Sequence, residues 1–247
     1  MMWVRAPVST ITACDAIPTA SPTAKHSIFR TERLNALAHA GLGRYVSLGG
    51  AFGLAHDYEY RTTHDLDAWW TSEATHEARA RVVASIEGVL APFGQTRTRA
   101  WGDVVSVELR RGGRTPFSFR IAARSALLRD EVPGVWQGDI RVDSFDDLLA
   151  SKMAALVNRG APHDFLDIYT LCNAGQTSIS ACWQLWQERQ HLSGADDDLG
   201  RAILAVRANL ARIEATRPLA EQPSGAADER SAARRAWFDK EFLHGLD

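Results

Sequence analysis

The chain has 247 residues, 45% of them hydrophobic and 23% charged, with a formal net charge of −2. That composition suits one large globular domain or two small ones, and the near-zero charge excludes a polyelectrolyte that binds nucleic acid with its whole surface. Three cysteines without Cys-x-x-Cys spacing (Cys14, Cys172, Cys182) argue against a disulfide framework or a zinc site and fit a reducing cytoplasm, and no stretch approaches the ~20 apolar residues that cross a bilayer.

Residues 1–25 are rich in Ser, Thr, Pro and Ala, lack the apolar core of a signal peptide, and read as a poorly ordered lead-in. Residues 26–143 read as an α/β domain. Ile28, Leu34, Leu37 and Ala38 recur at helical spacing within 26–40, and Gly41 and Gly43 end that helix. A strand over 44–48, the Gly49-Gly50 turn, a short helix to about His56 and a strand over 65–70 follow. Residues 73–90 form a helix stopped by Pro92 and Gly94. Strands are expected at 96–101, 104–110 and 117–122, the last two joined through Gly112-Gly113, with a short strand at 138–142. From 144 to 215 the pattern is helical. Residues 216–247 comprise a polar linker, to about 229, and a last helix bearing Trp237, Phe238, Phe242 and Leu243, an aromatic stripe that docks on its own chain or, less favoured, on a partner. An α/β half before a helical half implies two subdomains with a cleft between them.

Within the first half, Asp65-Leu66-Asp67 alternates along a strand, so the two carboxylates share one face while Leu66 points into the core. Such a pair repels unless a cation lies between, and a hard divalent ion with oxygen ligands, Mg²⁺ above all, is the usual resolution. Gly49 and Gly50 allow a phosphate to approach their backbone N–H groups, and the helix that follows presents its N-terminus to anions. Phosphate cradle plus acid pair points to nucleotide chemistry.

In the second half, Ser144 is an N-cap, and Phe145, Leu148, Leu149, Met153 and Leu156 trace an apolar stripe interrupted by Lys152. The chain has three lysines against 25 arginines. A lysine inside that stripe serves as a point charge for a phosphate deep in a cleft, or snorkels from the core to water; the stripe alone does not separate the two. On the next helix, begun by Pro162, Asp164 and Asp167 share a face. Asp164 sits in the first turn, where a carboxylate is a good structural choice, whereas Asp167 lies a turn deeper among apolar residues and needs a partner if buried. Between residues 97 and 129, eight arginines oppose Asp103 and Glu108, a net charge of +6. This window suits a triphosphate or an RNA backbone, or is a solvated sheet face.

Taken in order, Leu48-Gly49-Gly50, Arg61-x-Thr63-x-Asp65-Leu66-Asp67, Lys152 and His163-Asp164-Phe165-Leu166-Asp167-Ile168-Tyr169 resemble the AbiEii/AbiGii toxin family of toxin–antitoxin and phage-defence systems. The resemblance implies a nucleotidyltransferase-like mixed sheet with flanking helices, an α+β arrangement, followed by helices. It implies an enzyme that transfers a nucleoside monophosphate from an NTP to an acceptor hydroxyl, the tRNA 3′ end first among acceptors, with Mg²⁺ and with a cognate antitoxin as partner. The implied roles are catalysis by Asp65, Asp67, Lys152 and Asp167, nucleotide binding by Gly49, Gly50, Arg61, Thr63 and Lys152, and metal binding by Asp65 and Asp67, with Asp164 as a motif neighbour. Thr63 stands where serine is common. His163 stands where a basic Arg or Lys is usual, so the ion pair with Asp164 is expected to be lost or pH-dependent. No third carboxylate occurs in Phe117-Ser118-Phe119-Arg120-Ile121, and Glu108 on the preceding strand is the candidate substitute. Transfer to a small molecule such as an aminoglycoside, transfer to a protein side chain, and a non-catalytic binding module are the competing readings.

Overall fold

The computed structural model describes residues 34–61, 63, 65–134, 139–216 and 226–244. The lead-in, residues 26–33 of the first expected helix, Gly138 and most of the 216–229 linker lie outside these.

Residues 34–39 form helix α1, and a 3-10 turn at Gly43–Tyr45 leads into β1, Val46–Gly49. Then come α2 (Gly50–Asp57), β2 (Asp65–Trp70), α3 (His76–Leu90), β3 (Gln95–Trp101), β4 (Val104–Arg111), β5 (Arg114–Ala122), β6 (Val132–Pro133) and β7 (Arg141–Val142). The helical part comprises α4 (Phe145–Asn158), α5 (Pro162–Asn173), α6 (Ile179–Ser193), α7 (Leu199–Thr216) and α8 (Ala226–Trp237), which runs on into a π-helical turn, Phe238–Phe242. The caps follow from the sequence. The Thr75 hydroxyl accepts the Ala78 N–H and the Ser144 hydroxyl accepts the Asp147 N–H, each satisfying a donor at a helix start.

The seven strands form one mixed sheet in the order β3-β4-β5-β2-β1-β7-β6. β1 and β2 are antiparallel with Gly49 opposite Asp67, whereas β2 and β5 are parallel with Asp65 opposite Ser118 and Asp67 opposite Arg120. Strand alternation then separates two faces. Leu66, Ala68, Phe117, Phe119, Ile121, Val107 and Leu109 are buried on one, with Val82, Ile86 and Leu90 of α3 in the same core. The other face carries Asp65, Asp67, Ser118, Arg120, Glu108, Arg97 and Arg99.

Two expectations are refined. The 44–48 strand begins only at Val46, because Arg44 and Tyr45 belong to the 3-10 turn, and the short seventh strand is confined to Arg141–Val142 and pairs with the unexpected β6. The aromatic stripe docks on its own chain. Phe238 and Phe242 are wholly buried; Phe238 meets Phe165 edge-on at 4.8 Å, and Phe242 lies 5.2 Å from Trp183.

Candidate active site

The Gly-Gly turn is built around β2. Gly50 has φ +62, and a Cβ there would lie 2.5 Å from the Asp67 carboxylate; a Cβ on Gly49 would lie 2.7 Å from Trp69 Nε1. Both glycines are thus dictated by side chains standing up from β2, Gly50 also by its left-handed backbone. The start of α2, whose first N–H groups have no acceptor within the helix, consequently sits against Asp67. Beneath this turn Asp143 is buried and accepts hydrogen bonds from Ser47 Oγ at 2.8 Å, Trp69 Nε1 at 2.7 Å and Arg124 Nη2 at 2.5 Å. Burial pushes its carboxyl up to about 6, with Arg124 and Ser47 pulling against it. This knot ties β1 and β2 to the residue preceding the α4 N-cap.

A cleft of about 360 Å³ opens over Asp65 and Asp67. It is lined by Ala51, Arg61, Thr63 and Arg120 as well as the acids, and from the helical side by Lys152, Arg159 and His163. Arg61, Thr63, Asp65 and Asp67, from one short stretch, therefore meet Lys152 from far along the chain. Asp167 stands behind them, fully buried. Its Oδ1 accepts Arg61 Nε–H at 2.6 Å, its Oδ2 accepts Arg61 Nη2–H at 2.9 Å, and Lys152 Nζ lies 2.7 Å from Oδ2. Burial alone pushes the Asp167 carboxyl up, but the Arg61 hydrogen bonds and the Lys152 charge win and hold it below the usual range. Two cations on one carboxylate leave a surplus positive charge facing the cleft. The Tyr60 phenol is buried beside them, and its pKa is raised by that burial and by Asp167.

Asp164 performs the structural task that its position allows. It is buried, accepts the Ala161 N–H at 3.0 Å and is clamped by Arg159 through Nε and Nη2, both at 2.9 Å. The ion pair expected to fail at His163 is supplied instead by Arg159 from the end of α4. His163 Nε2 lies 3.4 Å from Asp164, and burial, opposed by Asp164, lowers the imidazole pKa.

Glu108 does not line the cleft. It lies on the acids' face but one strand beyond Ser118, about 10 Å from Asp65 by strand spacing, and pairs with Arg99 at 3.5 Å. The position next to Asp65 is taken by Ser118, whose hydroxyl donates to Asp65 Oδ1 at 2.7 Å, and the one next to Asp67 by Arg120, at 3.9 Å. Ser118, Arg120 and Arg159 were not singled out from the sequence as site residues. The alternation of β5 already put Ser118 and Arg120 on one face, but which strand β5 joins was not readable. Among the described residues no group of three or more His, Cys, Asp or Glu side chains could hold a metal ion. Asp65 and Asp67 nevertheless fit a hard divalent cation that takes its remaining ligands from phosphate and water, because both are oxygen donors, both open to the cleft, and Arg120 is only a distant counter-charge for Asp67.

Residues 33–241 match the model of the family described as nucleotidyl transferase AbiEii toxin, Type IV TA system. The chain belongs to that family. Membership of the AbiEii family makes it a nucleotidyltransferase-type toxin of a toxin–antitoxin system, for which an NTP substrate and an antitoxin partner are implied. No curated protein matches the sequence. Among solved structures, JHP933 from Helicobacter pylori is similar with a TM-score of 0.51 at 15% identity, covering 90% of this chain and 91% of that one. A candidate nucleotidyltransferase from H. pylori has a TM-score of 0.50 at 14% identity, covering 92% and 96%. The antibiotic-resistance factor ANT(2'')-Ia has a TM-score of 0.40 at 13% identity, covering 79% and 96%. The fold shared with the two H. pylori structures is the mixed α/β sheet with helices that the AbiEii chain displays. None of its described helices is long and apolar enough to cross a membrane.

Proposed function

We propose that this AbiEii chain transfers a nucleoside monophosphate from an NTP to the 3′ hydroxyl of an RNA, tRNA first, and so arrests translation. The observation that carries the reading is the pairing, across one cleft, of the Asp65/Asp67 acids with the Arg61–Asp167–Lys152 cluster. Asp65 and Asp67 would hold Mg²⁺, which when bound neutralises phosphate charge and stabilises the attacking and leaving oxygens. The α2 N-terminus and Gly50 receive the phosphate chain, and Lys152 and Arg61 counter the charge that builds on departing pyrophosphate. Asp167 positions Lys152. With both oxygens occupied and its pKa held low, it is a poor acceptor for the proton of the attacking hydroxyl.

The acceptor assignment draws on the acids' face of the sheet. Arg120 beside Asp67, then Arg99 and Arg97 on β3, and Trp101 at 50% exposure extend from the cleft over three strand spacings, about 14 Å. Arginines interleaved with an exposed indole suit a phosphate backbone and stacked bases better than a compact sugar antibiotic. The test is incubation of the purified chain with Mg²⁺, each α-labelled NTP and total tRNA. Label is expected on the tRNA and is expected to disappear in Asp65→Ala and Lys152→Ala. Label on an aminoglycoside or on protein would replace the RNA assignment, and no transfer to any acceptor would overturn the reading.

A further inference from the structure

Outside the cleft, two side chains that the proposed reaction does not use meet at the end of α5. Cys172 lies in the last turn of that helix and Cys182 in the first turn of α6, with their Sγ atoms 3.7 Å apart. Both are free thiols, Cys182 wholly buried and Cys172 partly exposed. A turn of five residues, 174–178, joins the helices and includes Gly175 in the left-handed region at φ +67. Two cysteines so placed are not a framework disulfide of a secreted protein; in a reducing compartment such pairs are transient and oxidant-driven.

We propose that Cys172 and Cys182 are an oxidation site, at which a hydroperoxide converts the two thiols into one intramolecular disulfide fastening α5 to α6. Access sets the order of steps. The Cys172 sulfur attacks a peroxide oxygen, the O–O bond breaks, and Cys172 becomes a sulfenic acid while water leaves. The Cys182 sulfur then attacks the sulfenic sulfur, the S–S bond forms, the S–O bond breaks, and a second water leaves. Two thiols give up two electrons and two protons, and hydrogen peroxide takes both. The sulfurs must close by about 1.7 Å to reach bonding distance. The exposed member is also the better nucleophile, since the hydrogen bond between the sulfurs holds the Cys172 thiol below its ordinary value and pushes that of Cys182 up. Asp167 lies on the same helix, five residues before Cys172, so the crosslink fastens the element that orients Lys152.

The test uses the full chain carrying Cys14→Ser, treated with hydrogen peroxide, alkylated with iodoacetamide and digested without reductant. The expected result is a linked peptide pair joining Cys172 to Cys182 in the monomer, with a thermal midpoint raised by roughly 3–5 °C and restored by dithiothreitol. In a Cys182→Ser background, Cys172 is expected to react with dimedone as the trapped sulfenic acid. Conversion of Cys172 to sulfinic acid while Cys182 stays open to alkylation in the unfolded digest, or disulfides only between molecules, would overturn the proposal. Because the peptide map is read on a chain that keeps both cysteines, a folding defect in the Cys182 variant does not obscure the answer.

Discussion

Asp167 shows how a single carboxylate organises the cleft. It is shared by Arg61 and Lys152, so removing either cation leaves a buried charge half-compensated, and Lys152→Ala is expected to cost about 1–3 kcal/mol in urea unfolding. Its effect on transfer is expected to be larger, a loss of roughly 100-fold or more, because the amine acts where charge develops. Lys152→Arg, which keeps the charge but needs room for a planar fork, is expected to restore stability better than transfer. Asp143 gives a prediction of opposite sign. A carboxyl held at about 6 when folded keeps a proton that the unfolded chain has released, so its contribution is greatest below about pH 4 and is lost as the pH rises through 6. The difference is worth about 3 kcal/mol, and it opposes Asp167, whose contribution is present above the ordinary carboxyl range and lost as the pH falls below it. Unfolding measured at pH 4.5 and 6.5 should show wild type losing ground to Asp143→Asn across that interval; parallel behaviour would contradict the assignment. At this scale the acids and the lysine were legible because their spacing breaks a pattern: two acids alternate on a strand, and a lysine interrupts a stripe. Asp143 was not legible, since nothing local distinguishes a buried aspartate next to an N-cap from a capping acid.

Elements were more legible than their pairings. Asp65–Trp70 and Phe145–Asn158 are the elements expected, because alternation in one and a capped 3.6-residue stripe in the other are local signals. That β5 runs beside β2, setting Ser118 and Arg120 against the two acids, is a long-range fact that no local pattern encodes. The β1–α2 junction carries the clearest prediction at this scale. Gly50→Ala introduces a Cβ onto Asp67 in a left-handed backbone, so it is expected to cost about 1–3 kcal/mol and to weaken NTP binding measured by calorimetry. The π-helical turn after α8 is the corresponding case in the helical part. Phe238 is wholly buried against Phe165, and Phe238→Ala is expected to lower stability by about 3–5 kcal/mol in urea unfolding while Phe238→Leu costs less.

At the scale of the molecule, the nearly neutral chain sets Arg97, Arg99 and Arg120 on the same sheet face as its two acids, with Arg97 and Arg99 on the edge strand farthest from them. The proposed RNA binding by that face should weaken steeply with salt, each lost phosphate contact reducing the slope by about one. Arg97→Glu with Arg99→Glu is expected to flatten the salt dependence of tRNA binding in filter assays and leave NTP binding unchanged; an unchanged slope would locate the RNA elsewhere. The same residues have a second consequence. β3 is an edge strand of seven residues, almost wholly exposed, and among the described residues its outer row of backbone groups has no neighbouring strand. Such an edge is a template for another copy, and Arg97 and Arg99 supply the like charge that keeps two copies apart. Alanine at both positions would therefore invite edge-to-edge aggregation, whereas glutamate preserves mutual repulsion while reversing the proposed attraction for RNA. Arg97 and Arg99 thus carry two roles at once, solubility at the sheet edge and the proposed contact with nucleic acid, and replacing them by neutral residues puts both at risk.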